Sequence, residues 1–156
     1  MREEQVRELI DRYIAVTFSV TRKADSLVKA EIGSDLTNDQ QYTLRYINRV
    51  KECTSSELAD IFDVKKSAIT ANINRLWKKG LIKRTRDEQD RRVVYLTLTD
   101  EGQRLFLQTE ERVQALVGSI INQLDIKEIE SFIETYEKLN QVLDNVNGGV
   151  KSEFYY

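Results

Sequence analysis

The sequence has 156 residues, 40% hydrophobic and 32% charged, with a net charge of −2, no proline and no histidine. A chain of this length can bury a sizeable core, and the lack of proline lets helices run uninterrupted. The lack of histidine removes imidazole-based catalysis and most transition-metal sites, and a single cysteine, Cys53, cannot form an intramolecular disulfide.

No stretch of about 18 apolar residues occurs, so no membrane-crossing helix is expected. The opening Met1-Arg2-Glu3-Glu4 leads into a charged amphipathic segment rather than the apolar core of a signal peptide. A lone thiol fits a reducing compartment, and the expected location is the cytoplasm. The charge is unevenly spread. Lys51 to Arg92 holds eleven basic residues against seven acidic ones, whereas Thr99 to Asn147 holds four basic against ten acidic. A basic centre in an acidic frame localises attraction for an anionic partner.

Along the chain, Val6, Leu9, Tyr13, Val16, Val20, Ala24 and Leu27 recur at steps of three and four, which predicts a helix over about Glu4 to Glu31. Ile32-Gly33-Ser34-Asp35 is a break. Thr37-Asn38-Asp39-Gln40 reads as a capping box before a second helix, Tyr42 to Val50. Thr54-Ser55-Ser56-Glu57 reads as another, opening a short helix with Leu58, Ile61 and Phe62. After a tight connection, Asp63-Val64-Lys65, a further helix runs from about Lys66 to Lys79 and stops at Gly80. The period then changes to two. Leu81 to Arg86 carries Ile82, Arg84 and Arg86 on one side, Asp87-Glu88-Gln89-Asp90 forms a turn, and Arg91 to Leu98 carries Val94, Leu96 and Leu98 on one side, which predicts a β-hairpin. Thr99-Asp100-Glu101 caps a long helix with Leu105, Val113, Leu116, Ile120 and Leu124. Asp125 restarts a last helix with Ile126, Ile129, Phe132, Tyr136, Leu139, Leu143 and Val146, and Gly148-Gly149 ends it.

The resulting expectation is a mainly α chain with a small β-hairpin wing: a winged helix-turn-helix flanked by terminal helices. Residues 1–32 form an N-terminal dimerisation helix, 37–98 the DNA-binding unit, 99–147 C-terminal dimerisation helices and 148–156 a loose tail. The terminal apolar stripes have little else in the chain to pack on, so they are expected to meet a second copy.

The helix before Gly80 separates its faces. Ile69, Ile73, Leu76 and Trp77 form an apolar side that would pack on Leu58 and Phe62. Ser67, Thr70, Ala71, Asn74 and Lys78 lie opposite. Uncharged hydrogen-bonding groups facing outward suit base edges in a major groove, and two helices joined by three residues make a helix-turn-helix. Isolated, such a polar face would read as ordinary solvated surface. The adjoining turn, Gly80 and basic hairpin argue otherwise. Arg91 and Arg92 at the hairpin tip suit a narrow minor groove, with Asp90 bracing the wing by pairing with a basic group.

Ser56-Glu57-Leu58-Ala59, Val64-Lys65-Lys66-Ser67-Ala68-Ile69-Thr70 and Arg75-Leu76-Trp77-Lys78-Lys79-Gly80-Leu81-Ile82 together resemble the MarR (multiple antibiotic resistance regulator) family. Asp90-Arg91-Arg92, followed after five residues by Leu98-Thr99, matches the family's D-x-R-x5-L-T wing signature, and Thr99-Asp100-Glu101-Gly102 continues it. The match covers about Thr54 to Gly102. The resemblance implies a homodimeric transcription regulator on a pseudo-palindromic operator in double-stranded DNA, expected to be a repressor released by a small ligand, with activator action left open. Recognition helices would enter successive major grooves and wings the flanking minor grooves. It implies DNA contacts by Lys65, Lys66, Ser67, Thr70, Asn74, Lys78, Arg84, Arg86, Arg91 and Arg92, with Arg92 in the minor groove, Arg91 near phosphate and Asp90 as structural partner. Many members carry arginine after the recognition-helix threonine. Here Ala71 stands there, so readout leans on Ser67, Thr70 and Asn74 or on DNA shape.

Release in the family implies a small aromatic or anionic effector, with Tyr13, Phe18, Tyr42 and Tyr46 as candidate lining. Each would otherwise be an ordinary core aromatic. Oxidation-sensing members place their cysteine on the first helix, where this chain has none. Cys53 is expected to be a buried, inert thiol. No cofactor or metal is expected. Two other readings are weaker. A winged helix that docks protein would not need outward Ser67, Thr70 and Asn74 among lysines. An enzyme using Glu57 and Asp60 lacks a phosphate loop or metal-ligand spacing.

Overall fold

The computed structural model describes residues 2–33 and 35–146. Six helices and one hairpin follow in order: α1 (Glu3–Ile32), α2 (Asn38–Val50), α3 (Ser55–Phe62), α4 (Lys66–Lys78), β1 (Ile82–Arg86), β2 (Val94–Leu98), α5 (Asp100–Ile121) and α6 (Ile126–Val146). The architecture is the expected mainly α fold with a hairpin wing. The tail expected at 148–156 lies outside the described residues. Among those described, no helix is long and apolar enough to cross a membrane.

Local chemistry fixes the helix ends. Glu3 and Glu4 open α1 and Lys29 lies in its last turn, matching the helix dipole. Gly33 then turns the chain at φ 77°, a left-handed angle that suits glycine. Both halves of the Thr37–Gln40 capping box form: Gln40 N–H donates to Thr37 Oγ1 and Thr37 N–H to Gln40 Oε1, each at 3.1 Å. The second expected box is only half made. Thr54 Oγ1 accepts from Glu57 N–H at 3.3 Å, but the exposed Glu57 carboxylate stays in water instead of returning a bond. Gly80, at φ 71°, ends the helix-turn-helix, with its N–H on Trp77 O at 2.9 Å.

One core organises the middle of the chain. Ile32, Leu44, Ile47, Leu58, Ile69, Ile73, Leu76, Leu81, Ile82, Leu96 and Phe106 are buried together, with Val28, Tyr46, Phe62 and Leu98 packed around them. Each large aliphatic side chain here contributes roughly 1.5–3 kcal/mol from burial. The antiparallel hairpin pairs Ile82 with Leu98, Arg84 with Leu96 and Arg86 with Val94. Ile82 and Leu96 are the buried cross-strand anchors, and Leu96 N–H also bonds Cys53 O at 2.7 Å.

Two further sequence expectations need correction. Trp77 does not share the buried face with Ile69, Ile73 and Leu76. It is 49% exposed, because its helical position falls on the flank of that stripe, beside the hairpin. The second strand starts at Val94, not Arg91. Asp87 Oδ1 accepts from the N–H groups of Gln89 and Asp90, both at 2.8 Å, and Asp90 Oδ1 accepts from Arg92 N–H at 3.1 Å. These side-chain bonds hold backbone donors that a longer ladder would need. The turn therefore runs from Asp87 to Val93, closed by Asp87 N–H on Val93 O at 2.9 Å.

The start of α5 is tied to the end of the helix-turn-helix. Thr99 N–H donates to Leu81 O at 3.1 Å, and Thr99 Oγ1 accepts from Gly102 N–H at 3.0 Å while donating to Gly80 O at 2.6 Å. Gly102 sits so close that a Cβ there would overlap the Leu81 carbonyl. Gly102→Ala is therefore expected to destabilise the fold by about 1–3 kcal/mol, visible as a lower urea midpoint, because the obstacle is backbone. An unchanged midpoint would show that the junction is not tight.

Cys53 is fully buried, and burial, reinforced by the nearby charge of Glu57, pushes its thiol up to about 12. The thiol is therefore neutral in the folded chain. Once the pH passes the ordinary thiol value the unfolded chain ionises Cys53 while the folded chain does not, so this group's contribution to stability falls between about 9 and about 12. Labelling by an aromatic disulfide at neutral pH should be at least ~100-fold slower in the native protein than in urea. Equal rates would show an accessible thiol.

Candidate nucleic-acid interface

The outward face of α4 follows from its inward one. With Ile69, Ile73 and Leu76 buried, the opposite side must present Ser67, Thr70, Ala71 and Lys78, which are exposed, and Asn74, which is partly covered. Thr70 Oγ1 donates to Lys66 O at 2.8 Å, so its hydroxyl hydrogen is held by the backbone and its lone pairs face out. Lys65 stands at the N-cap, and no side chain caps the first turn. Lys65 and Lys66 thus flank backbone N–H groups at the positive end of the helix dipole, a combination that attracts phosphate. α3 positions this end through Asp63, which turns the chain at φ 49°.

The hairpin leans against the same helix. Arg84 of β1 lies over the Trp77 ring, with its guanidinium carbon 5.1 Å from the ring centroid, and its Nη2 donates to Asn74 Oδ1. Arg86 Nη1 donates to Arg91 O at 3.1 Å, bracing the tip from within. Asp90 grips Arg92 by backbone and side chain, accepting from Nε at 3.1 Å and Nη2 at 3.2 Å. These bonds to Arg92 hold the Asp90 carboxyl below its usual range, and backbone N–H groups from Asp90 and Gln89 do the same for Asp87. Arg92 nonetheless keeps 92% of its side chain exposed. The structure thus places the expected wing arginines at an ordered, projecting tip, with Arg92 paired to Asp90. Lys65, Lys66, Arg84, Arg86 and Arg91 are exposed alongside.

The four candidate effector aromatics stand outside a cationic cleft elsewhere in the chain. Tyr13 and Phe18 stay more than half exposed on α1, and Phe18 carries the Arg22 guanidinium at 5.9 Å. Tyr42 meets Phe62 edge to face at 5.7 Å, and Tyr46 packs against the core, where burial and then the charge of Glu57 raise its phenol. That cleft, of about 560 Å³, opens between the end of α1, the start of α2 and the end of α4, with Lys29, Arg75, Lys78 and Lys79 among its lining. Glu57 and Asp60 lie exposed on α3, and among the described residues no cluster of three or more His, Cys, Asp or Glu could hold a metal ion.

Sequence reasoning missed a buried polar bridge between α2 and α5. Glu110 accepts from Arg45 Nη2 and from Gln41 Nε2, the latter at 3.4 Å, and Thr109 Oγ1 donates to Gln41 Oε1 at 2.6 Å. The available signal is Gln41 and Arg45 one turn apart, on a helix whose apolar residues alone suffice to predict it.

A family model described as MarR family matches residues 34–93. The HTH-type transcriptional regulator YwhA of Bacillus subtilis is 29% identical, over 85% of this chain and 94% of that protein. The HTH-type transcriptional repressor MdtR of the same organism is 32% identical, over 70% of each chain. Among solved structures, a cysteine-to-serine mutant of MarR from E. coli complexed with operator DNA superposes with a TM-score of 0.75 at 26% identity, covering 83% of this chain and 94% of that one. With a polar-faced α4 and an arginine-tipped wing beside it, the chain belongs to the MarR family and is a DNA-binding transcription regulator.

Proposed function

We propose that the chain acts as a homodimeric repressor on a pseudo-palindromic operator, released by a small anionic effector, and that it works in the cytoplasm. The observation that carries the DNA contact is the outward α4 face flanked by Lys65 and Lys66, with the Arg92 tip beside it. In this reading Ser67, Thr70 and Asn74 read base edges in the major groove. Lys65, Lys66, Lys78 and Arg91 hold phosphates, and Arg92 enters the minor groove. The unit at 37–98 binds DNA, and the segments 1–32 and 99–147 join two copies. Support for dimerisation comes from the side chains these helices leave in water: Leu9, Tyr13, Val16 and Val20 on α1, and Phe132, Tyr136, Leu143 and Val146 on α6, with no buried residue on α6 at all. Apolar stripes of this length cost free energy unless a partner covers them. Repression is favoured by the name of the relative MdtR, and operator binding by the MarR complex.

The effector reading moves from the aromatics to the cleft. Lys29, Arg75, Lys78 and Lys79 come from two helices and the residue that follows the second, and their charge suits an anion rather than a neutral ring. A ligand there would touch the end of the recognition helix directly.

Two measurements test this reading. Fluorescence anisotropy with DNA from upstream of the chain's own gene should show tight, salt-dependent binding of two chains per site. Arg92→Ala should weaken it on the order of tenfold while the dimer persists. Weak binding equal to that of scrambled DNA would favour a winged helix that docks protein. Benzoate, but not neutral benzyl alcohol, should release the DNA, and Arg75→Gln should blunt that release. Equal release by both compounds would move the effector away from the cationic cleft.

A further inference from the structure

We propose that Arg84, held on the Trp77 ring, is a positioning residue that makes Asn74 read guanine rather than adenine. The inference rests on the reading that the α4 face meets base edges. An asparagine free in a major groove pairs with adenine through two bonds, accepting from N6–H with its oxygen and donating to N7 with its nitrogen. Asn74 is not free in that sense. A guanidinium carries donors only, so the amide must turn its oxygen to Arg84, and Nη2 of Arg84 donates to Asn74 Oδ1. The orientation of the Asn74 amide is therefore set by chemistry. Its oxygen is turned to the wing and holds Arg84 there, so the NH2 group is the part of the amide turned the other way, toward DNA in this reading.

Trp77 makes the arrangement persistent. A lone exposed arginine samples many rotamers, but here the guanidinium lies over an indole face, 5.1 Å from the ring centroid, on a side chain one turn beyond Asn74. The same β1 strand is anchored by buried Ile82, two residues before Arg84 on the same face. Arg84 thus arrives at Asn74 from a rigid element. An asparagine offering donors alone matches a base edge offering acceptors alone. Guanine presents N7 and O6 side by side, whereas adenine puts its N6–H2 donor against the Asn74 NH2 group. Alanine at position 71 leaves the neighbouring surface of α4 without a long side chain that could take over this contact.

The test is selection of bound sequences from a random DNA pool by the full chain and its variants. Wild type should enrich guanine at one position in each half-site, and Asn74→Ala should lose that preference at that position. Arg84→Met, which frees the Asn74 oxygen, should raise adenine over guanine there by on the order of tenfold. Added to Asn74→Ala it should change nothing further at that position. Arg84→Leu also removes every donor that could hold the Asn74 oxygen, and provides the same comparison if the Met variant fails to fold. A wild-type preference for adenine at the Asn74-dependent position would overturn the proposal. So would an Arg84 variant that loses affinity uniformly with its base preferences intact, since that marks a phosphate contact. If wild type enriches no sequence, the DNA reading falls and takes this inference with it. If it enriches one that Asn74→Ala leaves unchanged, this inference falls alone.

Discussion

The junction at Thr99 holds the molecule together. Its hydroxyl donates to Gly80 O and accepts from Gly102 N–H, and its own N–H donates to Leu81 O. One threonine therefore ties the end of the recognition helix, the start of the hairpin and the first turn of α5. Gly102 is what lets these backbones approach, since any side chain would meet the Leu81 carbonyl. The wing, α4 and the long helix behind them are fixed to one another at this point, and the core of Leu76, Leu81, Ile82, Leu96 and Phe106 packs around it.

From that junction the molecule divides by charge and by polarity. The apolar core stops where α4 turns outward, and beyond it lie lysines, arginines and uncharged hydrogen-bonding groups. On the other side, α2 meets α5 through Gln41, Arg45, Thr109 and Glu110. A polar bridge of this kind is directional. It satisfies its donors and acceptors in one relative placement of the two helices, whereas an apolar contact would tolerate sliding. The terminal helices contribute little to the core, and their exposed stripes account for most of the large apolar side chains left in water.

Much of this is legible in the sequence because it depends on neighbours. Capping at Thr37 and Thr99, the stop at Gly80 and the change of period at the hairpin are local effects of bonds spanning a few residues. What escapes depends on contacts between elements. Trp77 reads as core by its spacing and chemistry, and only the approach of Arg84 from β1 shows it to be a platform. Alternation continues through Arg91 and makes the second strand look longer than it is, while Asp87 and Asp90 take up the backbone donors. The polar bridge to Glu110 joins residues far apart in sequence, and no periodicity reports it. The aromatics of α1 and α2 share a type but not an environment: Tyr13 and Phe18 stand in water, while Tyr42 meets Phe62 and Tyr46 packs on the core.

The clasp between Asp90 and Arg92 has a consequence for search. Attraction to arbitrary DNA grows with the number of counterions a protein displaces, and an arginine already holding a carboxylate displaces fewer. On the proposed minor-groove contact, an arginine paired in this way would add little to the grip on random sequence, and its paired geometry would cost it little freedom on entering a groove of the right width. For a regulator outnumbered by competing sites on a chromosome, lowering the background counts as much as strengthening the target. A single acidic residue beside the arginine proposed to meet DNA would thus trade residence on the wrong DNA for time spent finding the right one.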